Sequence, residues 1–361
     1  MMGGAGSVLV VGALGVVGRA ALEIYEMDNQ WQVTGLSRRT PDFSTRAEWI
    51  SVDLLDQTVL AGELATRGPF THIVYAALRE EDSLVSGWTQ STQIDRNTQM
   101  LRSLLDAFKE AKMSFSHLTL LQGTKAYGVH HGAYKMPAKE NDPRFIASNF
   151  YYDQEDLARE RGKTDGFDVT VLRPQIVCGF ALGNPMNAVT ALGVYAAICR
   201  ELEQPLRFPG GPACYQEAVD ARLLGRAIKW AGSESRCRGE VYNIANGDCF
   251  SWPNLWPGFA RRFGLEAGVA HPFSLASVMA DKAAVWDHIV AKHDLVRNSY
   301  TEVVSSWQFM DYLLRHDRTY PHHSMVSTIK ARQHGFHDCM DTEQMFDAIF
   351  MELQKARILP F

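Results

Sequence analysis

The chain has 361 residues, enough for one large domain or two unequal ones, and is 46% hydrophobic and 21% charged, the balance of a globular protein. A formal net charge of -5 with no basic block argues against nucleic-acid binding. No apolar run reaches the roughly 20 residues of a membrane helix, and no basic and then apolar leader precedes Val8, so a cytoplasmic location without membrane insertion is expected.

The first predicted strand, Ser7–Val11, runs directly into Gly12, Gly15 and Gly18. Glycines at such a turn let backbone N–H groups approach a pyrophosphate, and the helix over Gly18–Tyr25 aims its positive end at that charge. A second strand, Trp31–Leu36, leads into Ser37-Arg38-Arg39 rather than into an acidic residue. Two guanidinium groups there suit a ribose 2′-phosphate, so the expected cofactor is NADPH; the alternative is a solvated surface pair. A third strand, Glu48–Val52, precedes Asp53 and Leu54, with Asp53 read as either an adenine contact or a helix cap. A helix over Thr58–Thr66 and a strand over Thr71–Tyr75 then lead to Ala76-Ala77, small enough to let a cofactor lie against the sheet.

A helix over Thr92–Lys112 and a strand over Phe115–Leu121 bring the chain to Gln122-Gly123-Thr124-Lys125-Ala126-Tyr127. A further helix is predicted across Tyr151–Arg161 and a strand at Asp168–Leu172, which Arg173-Pro174 is expected to end. This βαβ rhythm predicts an α/β Rossmann-type parallel sheet with helices on both faces. Beyond residue 180 the rhythm changes: helices are expected over Ala188–Arg200 and Asp220–Trp230, a strand at Glu240–Ile244, and a mainly helical, aromatic-rich remainder from Trp252. The expected organisation is a nucleotide-binding core over 1–180 and a mixed segment over 181–361. That segment returns to the core at about 215–250 and otherwise caps the substrate site.

The six cysteines form no Cys-x-x-Cys pair and no His-Glu-x-x-His occurs, so neither a metal site nor a disulfide framework is expected. The sequence poses one chemical problem. None of its 12 tyrosines is followed four residues later by lysine, the usual catalytic spacing of short-chain reductases. Lys125 instead lies on the rim after the fifth strand, and Tyr151 opens a helix in Asn149-Phe150-Tyr151-Tyr152-Asp153-Gln154-Glu155-Asp156. The two converge if the strand end faces the helix start.

With these motifs the chain resembles the progesterone 5β-reductase and iridoid synthase-like (PRISE) family of atypical extended short-chain reductases. There the lysine sits in a Gly-x-Lys-x-Tyr context and the tyrosine is the first of the pair in Asn-Phe-Tyr-Tyr-x-x-Glu-Asp. The similarity continues through Arg173-Pro174, Gly179-Phe180, Met186-Asn187, Gly335-Phe336, Asp341-Thr342 and Phe346. Val11 stands where the family commonly has Thr, and the loop before Tyr151 is short, so steroid specificity does not transfer.

The resemblance implies hydride transfer from NADPH to the activated C=C bond of an enone or enal, with Tyr151 and Lys125 stabilising the carbonyl oxygen. Reduction of an aldehyde or ketone carbonyl, or a non-catalytic NADPH-binding sensor or scaffold, are the alternatives. The expected cofactor contacts are Gly12, Leu14, Gly15, Val16, Val17, Ser37, Arg38, Arg39, Asp53, Leu54, Ala76, Ala77, Gln122, Gly123, Tyr151, Pro174, Ile176 and Val177. The substrate, a small apolar carbonyl compound or enone, is expected against Tyr127, Tyr151 and Met186. The later aromatics are candidates for an apolar wall, and a homodimer is left open.

Overall fold

The computed structural model describes residues 6–296 and 299–361. Seven apolar segments pair in parallel as the main sheet: β1 (Gly6–Val11), β2 (Trp31–Ser37), β3 (Glu48–Ser51), β4 (His72–Tyr75), β5 (His117–Leu121), β6 (Asp168–Pro174) and β7 (Val241–Ile244). Their spatial order is β7-β6-β5-β4-β1-β2-β3. Strands of such a sheet are covered on both faces and therefore read as continuous apolar runs. In β1, Val8 and Val10 enter the core on one face and Leu9 and Val11 the core on the other, all fully buried.

Helices α1 (Val16–Glu26), α2 (Gln57–Arg67), α3 (Ser91–Glu110), α4 (Phe150–Asp165), α5 (Ala188–Glu201) and α6 (Ala221–Ser233) follow in the chain. Leu60, Leu104 and Leu157 carry α2, α3 and α4 onto one face of the sheet, while Leu22 and Leu224 carry α1 and α6 onto the other. Truncating one of these leucines to alanine costs about 2–5 kcal/mol, because the close-packed layer only partly closes over the void.

A third core holds the cap together. Helix α5 is buried on every side from Ala188 to Cys199, and an all-round apolar helix must be enclosed. Its cover comes from α7 (Trp252–Arg262), α8 (Gln308–Leu314), α9 (Thr342–Lys355) and their connections, with Trp252, Trp286, Phe346 and Phe350 at the centre.

Two expectations need correction. Strand β6 does not stop before Arg173-Pro174, since Arg173 pairs with Asn243 and Pro174 with Ile244. Proline is tolerated because it is the last residue, and Gln175 N–H continues the ladder to the Ile244 carbonyl. The parallel pairs Ile176–Cys178 with Ala218–Asp220, and Leu206–Arg207 with Ala267–Gly268, were not expected; runs of two or three residues carry no readable period. No helix among the described residues is long and apolar enough to cross a membrane.

Candidate active site

The strand order reverses beside β1, which has β2 on one side and β4 on the other. Ligands of open α/β sheets lie at that switch point, beyond the strand C-termini. Here two adjoining cavities open, sharing Gly15, Ala76, Ala77, Leu78 and Asn184.

The first, of about 610 Å³, is lined by Gly12, Leu14, Gly15, Ser37, Arg38, Arg39, Asp53, Leu54, Ala76 and Ala77. Gly12 has φ +83°, and a Cβ there would stand 2.7 Å from Ala77 backbone atoms. A Cβ on Gly18 would meet the Gly12 carbonyl at 2.2 Å, so the first turn of α1 packs on the glycine turn only without one. These two glycines therefore fix a bare backbone turn at a helix N-terminus, a cradle suited to a pyrophosphate. Arg38 and Arg39 are exposed, with no side-chain ion pair or hydrogen bond to a described residue. Asp53 also lines this cleft, and the cap alternative falls to Asp56, which accepts from Val59 N–H.

The second cavity, of about 220 Å³, is more apolar. Val16, Val17, Gln122, Gly123, Lys125, Tyr151, Pro174, Ile176, Val177 and Met186 line it, together with Trp88, Phe309, Tyr312 and Leu313. Lys125 rides on a 3₁₀ turn, Thr124–Tyr127, directly after β5, and Tyr151 lies in the first turn of α4. Asn149 joins the two segments. Its carbonyl oxygen caps α4 by accepting from Tyr151 N–H (3.0 Å), and its amide donates to the Lys125 carbonyl (2.9 Å). Tyr152 adds a second brace, donating from its hydroxyl to the Ala126 carbonyl at 2.8 Å.

Lys125 Nζ lies 5.7 Å from the Tyr151 ring centroid and 4.2 Å from that of Trp88. Its counter-ion is Glu80, whose Oε1 is 3.7 Å away; both side chains are nearly buried, and neither of these two atoms has a hydrogen-bond partner among the described residues. The other oxygen of Glu80 is held by Trp88 Nε1–H (3.1 Å) and Gln93 Nε2–H (2.6 Å). Burial lowers the Lys125 pKa, and the Glu80 charge opposes that drop. Burial, then Glu80, raises the Tyr151 pKa, so the phenol keeps its proton at neutral pH. The Tyr151 hydroxyl lies 3.4 Å from where a Gly123 Cβ would stand and bonds to no described residue.

The position four after Tyr151, where other reductases carry lysine, holds Glu155. It turns away from the cavity into a buried network: Arg173 Nη2 is 3.3 Å from its Oε2, and Gln122 Nε2 donates to the same oxygen at 3.1 Å. Gln122 also donates to the Tyr151 carbonyl (2.9 Å) and accepts from Arg173 Nε–H (2.8 Å). Its amide is thus fully engaged beneath Tyr151, although the residue borders the cavity.

Tyr127 is a correction. It lies outside the cavity lining, donating from its hydroxyl to Asn243 Oδ1 at 2.6 Å, with the Arg173 guanidinium over its ring. The turn that points Lys125 inward carries Tyr127 to the protein side. Of the late aromatics, Phe309 and Tyr312 reach the cavity, whereas Trp252, Trp256, Phe259 and Trp286 fill the cap core. Glu80, Trp88 and Gln93 were missed. They sit in a polar stretch after β4 whose only signal was a tryptophan among charged and small residues.

The parallel sheet, the glycine cradle and a Tyr/Lys pair at the switch point define an enzyme of the short-chain dehydrogenase/reductase class. Solved structures agree at the level of fold. UDP-glucose 4-epimerase of Thermus thermophilus, in complex with NAD, superposes with TM-score 0.67 at 16% identity, covering 97% of this chain and 99% of that one. A dTDP-glucose 4,6-dehydratase from Streptomyces venezuelae, with NAD and TYD bound, gives 0.66 at 16% identity, covering 97% and 98%. Within that class the chain belongs to the PRISE-like Rossmann-fold family, whose model matches residues 72–360. Among its relatives are (S)-8-oxocitronellyl enol synthases of Nepeta racemosa, 32% identical over 91% of this chain and 85% of that one, and of Camptotheca acuminata, 31% identical over 98% and 93%.

Proposed function

We propose that the protein is an NADPH-dependent reductase acting on the activated C=C bond of an enone or enal. The observation that carries this reading is one small cavity, adjoining the dinucleotide cleft, that presents a protonated phenol and a buried lysine set beside a carboxylate. Bound NADPH supplies the hydride. Gly12 and Gly15 would cradle its pyrophosphate, and Arg38 and Arg39 would take the 2′-phosphate through charge-assisted bonds.

Tyr151 donates a hydrogen bond to the substrate carbonyl oxygen as negative charge builds there. In its charged form Lys125 adds a positive field, strong where water is excluded, and the Glu80 charge opposes the loss of that proton on burial. Tyr151 remains a donor throughout, and the α-carbon takes its proton from solvent. Hydride at the β-carbon leaves an enolate, and the related enzymes are named for an enol product, which favours conjugate over carbonyl reduction.

The test is NADPH oxidation with simple enals and enones, followed by product analysis. A saturated carbonyl product is expected; an alcohol with its alkene intact would replace this reading with carbonyl reduction. NADPH binding without turnover would favour the sensor reading. Tyr151→Phe should lower kcat on the order of 10²- to 10³-fold while NADPH binding persists. Undiminished turnover would remove the assigned role.

A further inference from the structure

Trp88 is the point where the cap reaches the reacting pair. It is 3% exposed and belongs to the apolar core of the cap, with the Tyr312 ring packed edge-on at 4.9 Å. It also borders the substrate cavity beside Lys125.

One indole serves both halves of an ion pair. Its face lies 4.2 Å from Lys125 Nζ, while its Nε1–H donates to Glu80 Oε2 at 3.1 Å. Gln93 Nε2 donates to that same oxygen at 2.6 Å, and Gln93 Oε1 accepts from Glu81 N–H at 3.2 Å, which ties the carboxylate to α3. The other oxygen, Glu80 Oε1, faces Lys125 Nζ at 3.7 Å, longer than a normal hydrogen bond. The rings of Phe150 and Tyr151 stand farther off than Trp88, each 5.7 Å from Nζ. Indole has the most negative face of these rings, and such a face stabilises a desolvated cation. The titratable groups around Lys125 are Glu80, the Tyr151 phenol and the His130 imidazole. Burial, followed by the charges of His131 and Lys125, pushes the His130 pKa down to about 3, so that ring is neutral, and burial raises the pKa of Tyr151. The charged lysine is therefore left to one carboxylate and one indole face.

We propose that Trp88 is a positioning residue for the reduction: its indole face holds the charged Lys125 side chain toward Tyr151, and its Nε1–H orients the Glu80 carboxylate that balances that charge. The proposal rests on the reductase reading above, in which Lys125 acts through its charge. Because Trp88 belongs to the cap core and Lys125 to the sheet rim, the field at Tyr151 is complete only when cap and sheet are packed together.

The experiment places mono- and trifluorinated tryptophan at position 88 of the full-length enzyme and measures the pH dependence of kcat/KM for a simple enal with NADPH. Fluorine withdraws charge from the ring face and leaves the shape of the side chain and its N–H in place. The charged form of Lys125 is present below its pKa and lost as pH rises through it. A weaker face lowers that pKa and moves the alkaline limb toward lower pH. A stepwise shift is expected, reaching about half a unit to one unit with three fluorines. An unmoved limb, or one that moves to higher pH, would overturn the proposal, since a mere wall residue does not act through its ring charge. Replacement of the side chain gives a second reading. Trp88→Phe retains a face and should keep kcat within about 3-fold of native, whereas Trp88→Leu should lose about 10-fold, with NADPH binding retained in both. Equal losses in the two variants would mean that bulk rather than the ring face matters, and the proposal would fall. These outcomes leave the reductase reading in place. A native enzyme that binds NADPH yet turns over no enal or enone would overturn that reading, and the proposal with it.

Discussion

Arg38 and Arg39 stand exposed just after β2 with no side-chain partner among the described residues, whereas Lys125 is buried after β5 and held near one carboxylate. Both lie at the switch-point rim, yet they obey different electrostatics. Exposed guanidinium groups are hydrated and screened by salt, so they act on whatever ligand arrives and contribute modestly until a phosphate lies between them. The buried ammonium is screened little and is governed by the protein's own charges. A single carboxylate, Glu80, opposes its loss of charge. The first kind of site recognises; the second sets a field at a reacting atom.

Substitution at the two sites should therefore differ in size and character. Lys125→Met should lower kcat on the order of 10²- to 10³-fold, with NADPH binding retained and little dependence on salt. A loss confined to KM would place Lys125 among ordinary binding residues. The double change Arg38→Gln with Arg39→Gln should lower kcat/KM for NADPH by about 10- to 100-fold, leave NADH nearly untouched, and weaken the salt dependence. Equal losses with both cofactors would end the 2′-phosphate assignment.

Glu80→Gln should cost less, on the order of 10-fold at neutral pH, but it should reshape the pH profile. Lys125 acts charged, and its folded-state pKa already lies below the usual value. Activity is therefore present below that pKa and lost as pH rises through it. Removing the Glu80 charge lowers the pKa further, so the alkaline limb of kcat/KM should move toward lower pH. An unmoved limb would reduce Glu80 to a packing role. The smallest effect belongs to Tyr127→Phe, which should cost about 1 kcal/mol of stability through its lost bond to Asn243, with kcat unchanged. A drop in kcat would return Tyr127 to the substrate side.

The contrast also explains what could be read in the sequence. Gly12, Arg38, Asp53 and Ala77 follow strand ends, and a parallel sheet brings all strand ends to one rim, so local pattern sufficed for the cleft. Lys125 and Tyr151 were legible as a pair through a family motif, although what joins them is Asn149, whose bonds no spacing reveals. Glu80 and Trp88 were hidden because a carboxylate in a polar run reads as solvated until Gln93 and Lys125 are seen against it. Tyr127 failed for the opposite reason. Lying two residues after Lys125 suggested a shared destination, but a 3₁₀ turn spreads successive side chains about its axis.

The clamp at Asn149 has an evolutionary consequence. It fixes the helix start to the Lys125 carbonyl, 24 positions earlier in the chain, by a bond that the excursion between them does not supply. Insertions and deletions there can reshape the mouth of the cavity while the chemistry stays put. A scaffold whose reactive pair is clamped by a bond outside the loop can drift in loop length without separating that pair, and it offers the same freedom to directed evolution.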